Sequence, residues 1–454
     1  MAARPVVPVK PEEDRTFDLA LKLLHEHVDL SQADKNHPLR ENAVYTTSVV
    51  LWMLVMQRMI PDKSLEAVVQ RLIETKPDCL PDHKRVRDGL SASTGGYSQA
   101  RRRMPLDAAR WMADEVSRSL IDAAPPFFGQ RSVYLIDGTT ITLAPEAALR
   151  KLYPPASNQH GAGVWPVALL TVCHELSSGA ALVPEIGPMY GPSAVSETAL
   201  IANNLRRLPP DSIVMADAGF GIFQVAHEAH SAGHSFVLRL TKQRFCAMQN
   251  SAALVEQAEG SGTWALDWRP SRKDRKTRPD LPQDAVLSVR LHEVVVNDQL
   301  TLWLASDLPD PAAALGDLYE RRTHVETDLS NLKIVLKTEL IRARSDDTFR
   351  KELLAAIVSY NLVTQFRRQA AALINEPPRR LSFKRTWTTF NVFLLSRRFP
   401  TPAACSARYR EALSLAATHK LPHRPGRRFA REAYPRRPKS NQFKKRLTKP
   451  ITPD

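Results

Sequence analysis

Two aspartates and one spaced set of four polar residues are where this sequence could do chemistry. Asp137 follows the apolar run Val133-Tyr134-Leu135-Ile136 and precedes Gly138; Asp217 follows Ile213-Val214-Met215-Ala216 and precedes Ala218-Gly219. Aspartate is depleted in strands and is rarely fully buried. Placed at the end of an apolar strand, beside a glycine that lets another group approach, it suits a pocket over a sheet edge. For either aspartate alone, a strand-ending turn residue is the more ordinary explanation. Downstream, in 319-YERRTHVETDLSNLK-333, Tyr319, Arg322, Glu326 and Lys333 stand at offsets 0, 3, 7 and 14. At about 100° per residue these four fall within roughly 60° of one another on a helix. Leu318, Val325, Leu329, Leu332 and Leu336 form an apolar stripe beside them. The spacing therefore predicts one helix with an acid, two bases and a phenol along the margin of its buried face. Taken alone, Arg322 and Glu326 read better as an ordinary exposed i,i+4 ion pair.

Asp137, Asp217 and Glu326 together are harder to dismiss. Three hard oxygen ligands suit Mg²⁺ or Mn²⁺, and a pair of such ions can polarise a phosphodiester and stabilise both oxygens of an in-line displacement. His and Cys are absent from these motifs, which argues against zinc. The reading demands that the fold bring together residues 80 and 109 apart in sequence.

The elements that would position them follow from periodicity. Residues 16–125 read as mostly helical, including 44–59 and, after a capping Ser64, 64–74. Gly95-Gly96 breaks the chain before a helix start rich in Tyr, Ser, Gln and Arg. There Arg101, Arg102 and Arg103, with Ser98 and Gln99, have the chemistry of a phosphate-holding or groove-reading helix, or of a plain solvated one. Pro125-Pro126-Phe127-Phe128 looks like a junction. Strand patterns then take over at 132–143 and in a hairpin over 164–187 with its turn at Ser177-Ser178-Gly179. Helix 195–208, strand 212–220, helix 221–233 and strand 235–240 alternate after it. Antiparallel strands followed by alternating helix and strand predict a mixed α/β sheet flanked by helices. Periodicity fades over 243–284, which holds a charged loop at 270–282, and two alternating strands follow at 286–296 and 299–306. Residues 243–305 are therefore read as a β-rich insertion, and 349–374 as an apolar helix beneath the sheet.

Composition sets the partners. Of the 63 Lys+Arg, 20 lie in residues 377–454 against three acids there, so a chain of net charge +15 carries its whole excess at one end, densest over 424–449. A basic, proline-containing stretch with few aliphatics should stay disordered until it meets a polyanion, and its phosphate contacts would give salt-sensitive affinity for nucleic acid. A plain solubilising tail, or one that touches acidic membranes, is the alternative. No apolar run approaches the roughly 20 residues that span a bilayer, so no membrane partner is expected. Lys10, Glu12, Glu13 and Asp14 do not read as a secretory signal, and the scattered Cys79, Cys173, Cys246 and Cys405 form no CxxC pair; a reducing, cytoplasmic setting is expected.

The strand ending Leu-Ile-Asp137-Gly, the strand ending Ala-Asp217-Ala-Gly-Phe, and Tyr319-x2-Arg322-x3-Glu326-x6-Lys333 resemble the bacterial DDE transposases of the insertion-sequence-four group, whose Y-x2-R-x3-E-x6-K signature is met at all four positions. The resemblance covers about 90–376. It implies a ribonuclease-H-like sheet interrupted by the β-rich insertion (domain 126–376); the helical pattern before it is read as an N-terminal DNA-binding domain (1–125), and the basic C-terminal region (377–454) is not part of the signature. The resemblance further implies that Asp137, Asp217 and Glu326 hold two divalent ions, that Tyr319, Arg322 and Lys333 contact phosphates at the element's end, and that the enzyme cuts double-stranded DNA ends and joins them to a target. Work on two ends at once implies at least a dimer. Some relatives stack a flipped base on a tryptophan in the insertion, for which Trp303 is a candidate and Trp264 and Trp268 are competitors. The alternatives are a catalytically inactive DNA-binding descendant and a related metal-dependent nuclease.

Overall fold

The computed structural model describes residues 23–40, 43–158, 161–298, 300–335, 341, 343–395 and 401–422. The basic stretch 424–449 and the helical segment expected over 16–22 lie outside these.

The strands are β1 (Val133–Thr142), β2 (Ser157–Asn158), β3 (Gly161–Ala162), β4 (Val167–Glu175), β5 (Glu185–Pro188), β6 (Ile213–Ala216), β7 (Ser235–Arg239), β8 (Ala253–Ala258), β9 (Ser261–Trp268), β10 (Leu287–Asn297) and β11 (Leu300–Ser306). β2 and β3 form a small ribbon of their own. The other nine make one sheet in the order β5-β4-β1-β6-β7-β11-β10-β9-β8. β5, β4 and β1 are antiparallel neighbours, while β1, β6 and β7 run parallel. The helix Phe223–Ser231 is the short crossover between β6 and β7, and the helix Glu197–Leu205 leads from β5 into β6, as the alternating pattern predicts. All four residues of β6 are buried, as befits a strand covered on both faces. The result is a mixed, helix-flanked sheet of ribonuclease-H-like kind.

The expected β-rich segment exists, but it extends the main sheet rather than standing apart, because β11 pairs antiparallel with β7. Within it the sequence reading missed the helix Lys242–Gln249 and strands β8 and β9. The charged loop contains the short helix Arg272–Thr277, started by a reciprocal Ser271/Asp274 cap.

Behind the sheet runs the helix Asp346–Ala372, capped by Ser345, with 20 of its 27 residues buried. A helix buried nearly all round must be enclosed, and this one is. The Tyr360 hydroxyl donates to the Gly179 carbonyl on the sheet side (3.0 Å), and Asn361 bonds both backbone groups of Ala181. It also packs against the helices Thr47–Met59 and Leu106–Asp122. Helix Thr47–Met59 is buried at every residue, and one contiguous apolar cluster runs from Leu23 in the helical region through the sheet to Ala417. Where these layers meet, Glu352 ion-pairs with both Arg58 (3.2 Å) and Arg101 (2.9 Å). The glycine pair expected to break the chain instead opens the helix Gly95–Arg103.

The stretch expected to be one helix over 319–333 is four pieces. An α-helix, Ala312–Glu320, gives way to a 3₁₀ turn, Arg321–Thr323, then to the α-helix His324–Ser330 and a π turn, Asn331–Val335. A 3₁₀ turn is wound tighter than an α-helix and a π turn looser, so a uniform 100° per residue does not hold across them.

Candidate active site

The parallel register of β1 and β6 places Leu135 opposite Met215. Two residues on, Asp137 and Asp217 stand level, one still inside β1 and the other just past the end of β6. β1 runs on past Asp137 to Thr142, as the strand pattern over 132–143 predicts, but its residues change from buried to half-exposed at Asp137, where the apolar run ends. Asp137 is therefore where the strand leaves the core.

The Asp217 turn is held from several sides. Asp217 Oδ1 accepts the Gly219 N–H (2.9 Å), and Arg244 donates to the carbonyls of Ala218 and Gly221. Gly221 lies so close to β7 that a Cβ there would sit 2.0 Å from the Arg239 carbonyl oxygen. Only glycine permits that approach.

The third acid arrives from the broken helix, and a single guanidinium gathers all three. Arg322 Nη2 is 3.0 Å from Asp137 Oδ2 and 3.5 Å from Asp217 Oδ2, while Nη1 is 3.1 Å from Glu326 Oε1. Exposure rises across the set: Arg322 12%, Asp137 18%, Asp217 40% and Glu326 51% of side-chain surface. Burial pushes the Asp137 carboxyl above the usual range; Arg322 and the Gly138 N–H oppose that, while Asp217 and Glu326 reinforce it. Among the described residues no three His, Cys, Asp or Glu side chains are placed to share a metal ion. The guanidinium, not a shared coordination sphere, is what joins these three.

The donor set nonetheless fits a hard divalent cation. Its oxygens are all carboxylate, and they come from three separate elements. A fourth acid, Glu197, lies over Gly138; the sequence reading missed it. Burial, then Asp137 and Asp217, raise its carboxyl pKa.

The other predicted residues scatter. Tyr319 is buried, its hydroxyl donating to the Ala216 carbonyl (3.3 Å) at the base of the Asp217 turn, and burial pushes its pKa up to about 12. It therefore braces the site from beneath instead of lining the margin. Lys333 lies half-buried in the π turn. Arg101 faces inward to Glu352, whereas Arg102 and Arg103 are exposed. Arg102 lines, with Arg58, Lys63, Arg101 and Arg344, a cleft of about 840 Å³ between the helices. Trp303 is half-buried on β11, donating to Glu293 (3.4 Å) with Lys242 5.9 Å from its ring centre, so its face is not free as placed. Trp264 packs edge-on against Phe245 and Trp268 against Phe223. No helix among the described residues is long and apolar enough to cross a membrane.

Residues 128–362, just over half the chain, match the model of a protein family described as a transposase DDE domain. No curated protein matches the chain.

Proposed function

Because the chain belongs to the transposase DDE domain family, and so to the metal-dependent enzymes that transpose DNA, we propose that it is the cut-and-paste transposase of an insertion sequence of the insertion-sequence-four group. Asp137, Asp217 and Glu326 are its catalytic carboxylates and hold two Mg²⁺ or Mn²⁺ ions. The observation that carries this reading is the convergence of three acids, separated by 80 and 109 residues, on the one guanidinium of Arg322. Three carboxylates brought together repel one another, and Asp137 also costs desolvation, so a folding pattern with no use for a charged cluster would not assemble them.

Bound there, divalent ions would polarise the scissile phosphodiester and stabilise the attacking and leaving oxygens. The chain's own residues do the rest. Arg322 holds the acids together and, once cations share that task, its planar fork is suited to bidentate contact with a phosphate. Tyr319 keeps the Asp217 strand end in place through Ala216, and Lys333 supplies a second cation along the DNA path. Cleavage of the element's ends frees a 3′-hydroxyl that attacks target DNA, with a dimer holding two ends. The helical region 1–125, through Arg102 and Arg103, and the basic region 377–454 supply further phosphate contacts. The protein acts in the cytoplasm on the nucleoid. No feature favours the alternatives of an inactive descendant or a simple nuclease.

The test is end cleavage on a duplex carrying the element's inverted repeat. Asp137→Ala, Asp217→Ala and Glu326→Ala should each abolish Mg²⁺-dependent nicking and leave duplex binding intact. A variant that nicks at the wild-type rate removes its residue from the catalytic set.

A further inference from the structure

Glu197 opens the helix Glu197–Leu205, whose first turn is capped by Ser196, its hydroxyl accepting the Ala199 N–H (3.2 Å). That helix is fixed to the sheet at its far end. Ile201 and Leu205 are buried, and Asn204 donates to the Thr171 hydroxyl (2.6 Å), Thr171 being the β4 residue paired with Gly138. With its helix pinned, Glu197 reaches across β1 to the backbone beside Asp137. A Cβ at position 138 would lie 2.0 Å from Glu197 Oε1, 2.1 Å from its Cδ and 2.6 Å from its Cγ. The missing side chain of Gly138 is thus the space that the Glu197 carboxylate fills.

Gly138 has no other reason to be glycine. It sits in a regular strand, paired in register with Thr171, and is absent from the glycines with positive φ. Glycine in a strand interior weakens it, so the position is explained by the group that approaches. That group is an acid brought to an acidic site. Arg322 already serves Asp137, Asp217 and Glu326, and no hydrogen bond or ion pair of the Glu197 carboxylate is found among the described residues. Four carboxylates against one guanidinium leave an excess of negative charge that bound cations would offset.

We propose that Glu197 is a fourth metal-binding carboxylate of this site, entering from the Asp137 side over Gly138. The inference rests on the reading of Asp137, Asp217 and Glu326 as metal ligands. Its role is to raise cation affinity at Asp137, and Gly138 is the specificity element that admits it.

Two variants test it by different routes. Glu197→Gln removes the charge and keeps the shape; Gly138→Ala keeps Glu197 but drives its flexible side chain out of the site. Mn²⁺ binding to the full-length protein, read from the free Mn²⁺ signal by electron paramagnetic resonance, needs no catalysis. Both variants should raise the Mn²⁺ dissociation constant by about 10- to 100-fold, the range seen when groups supporting a metal site are lost. In EDTA, Glu197→Gln should melt no lower than wild type, since it deletes a charge that has no hydrogen-bond or ion-pair partner among the described residues; a structural carboxylate would show a lower melting temperature on the same change. Wild-type Mn²⁺ isotherms in both variants, with binding lost in Asp137→Ala, would overturn the role of Glu197 and leave the three-acid reading standing. Unchanged binding in Asp137→Ala would overturn the three-acid reading itself.

Discussion

Replacing Arg322 with alanine removes the one cation that three carboxylates share, and the structure sets how much each contact should matter. The Arg322–Asp137 pair is the buried one, at 12% and 18% exposure, whereas Asp217 and Glu326 are 40% and 51% exposed and can be rehydrated. Breaking a buried pair by removing one partner costs about 3–5 kcal/mol, and exposed pairs contribute about 0–1 kcal/mol each. Asp137 keeps some water and the Gly138 N–H at 2.8 Å. The expected loss is accordingly about 2–3 kcal/mol, below the buried-pair range and centred on Asp137. The pH dependence has a fixed sign. Burial already holds the Asp137 carboxyl above its ordinary value, so its ionised form costs stability at neutral pH, and loss of Arg322 raises it further. The deficit should be full above the folded value, shrink as pH falls through it, and vanish below the unfolded aspartate value of about 4, where the group becomes neutral in both states. Magnesium should restore what arginine supplied: ten times its dissociation constant adds about 1.4 kcal/mol to the unfolding free energy. That gain should be larger in Arg322→Ala than in wild type, where a cation must compete with the guanidinium. Urea unfolding followed by tryptophan fluorescence, in EDTA and across a Mg²⁺ series, measures both quantities. An Arg322→Ala protein that unfolds at the wild-type urea concentration in EDTA, or gains no more from Mg²⁺ than wild type, refutes the reasoning.

Three further outcomes are expected. Glu352→Ala strands the guanidiniums of Arg58 and Arg101 in the core and should cost about 3–5 kcal/mol in urea unfolding, with Glu352→Gln costing less. Gly221→Ala puts a methyl 2.0 Å from the Arg239 carbonyl oxygen, which cannot swing aside as a side chain can; it should destabilise by about 1–3 kcal/mol and slow end cleavage by shifting the Asp217 turn, whereas Gly138→Ala, meeting only the end of a side chain, should leave unfolding near wild type. Deleting residues 424–454 should flatten the slope of log affinity for duplex DNA against log salt, and an unchanged slope removes that stretch from the DNA contacts.

The aspartates were legible because each ends an apolar run and stands beside a glycine, a pattern that hydrophobicity alone exposes. Arg322 and Glu326 were legible through spacing, although the expected single helix was not, since no residue pattern announces the 3₁₀ and π turns that interrupt it. Tyr319 looked like a margin residue on a uniform helix and is a buried brace in the broken one. Glu197 was hidden because a Ser-Glu pair at a helix start reads as capping, and only the void at Gly138 shows what the side chain does. Arg101 looked like its two exposed neighbours; the partner that turns it inward lies 251 residues away. In the sheet, β6 and β7 were readable as apolar strands. β8 was not, because all six of its residues are exposed and it carries no alternation to detect.

Where divalent metal goes when the enzyme grips an end tests the three-acid site most directly. Crystals of the full-length protein with an inverted-repeat duplex and Mn²⁺, measured at the manganese edge, should show anomalous peaks ringed by carboxylate oxygens of Asp137, Asp217 and Glu326, with the Arg322 guanidinium moved onto phosphate. Manganese bound elsewhere on a cleavage-competent complex, with Arg322 still clasping all three acids, would contradict it.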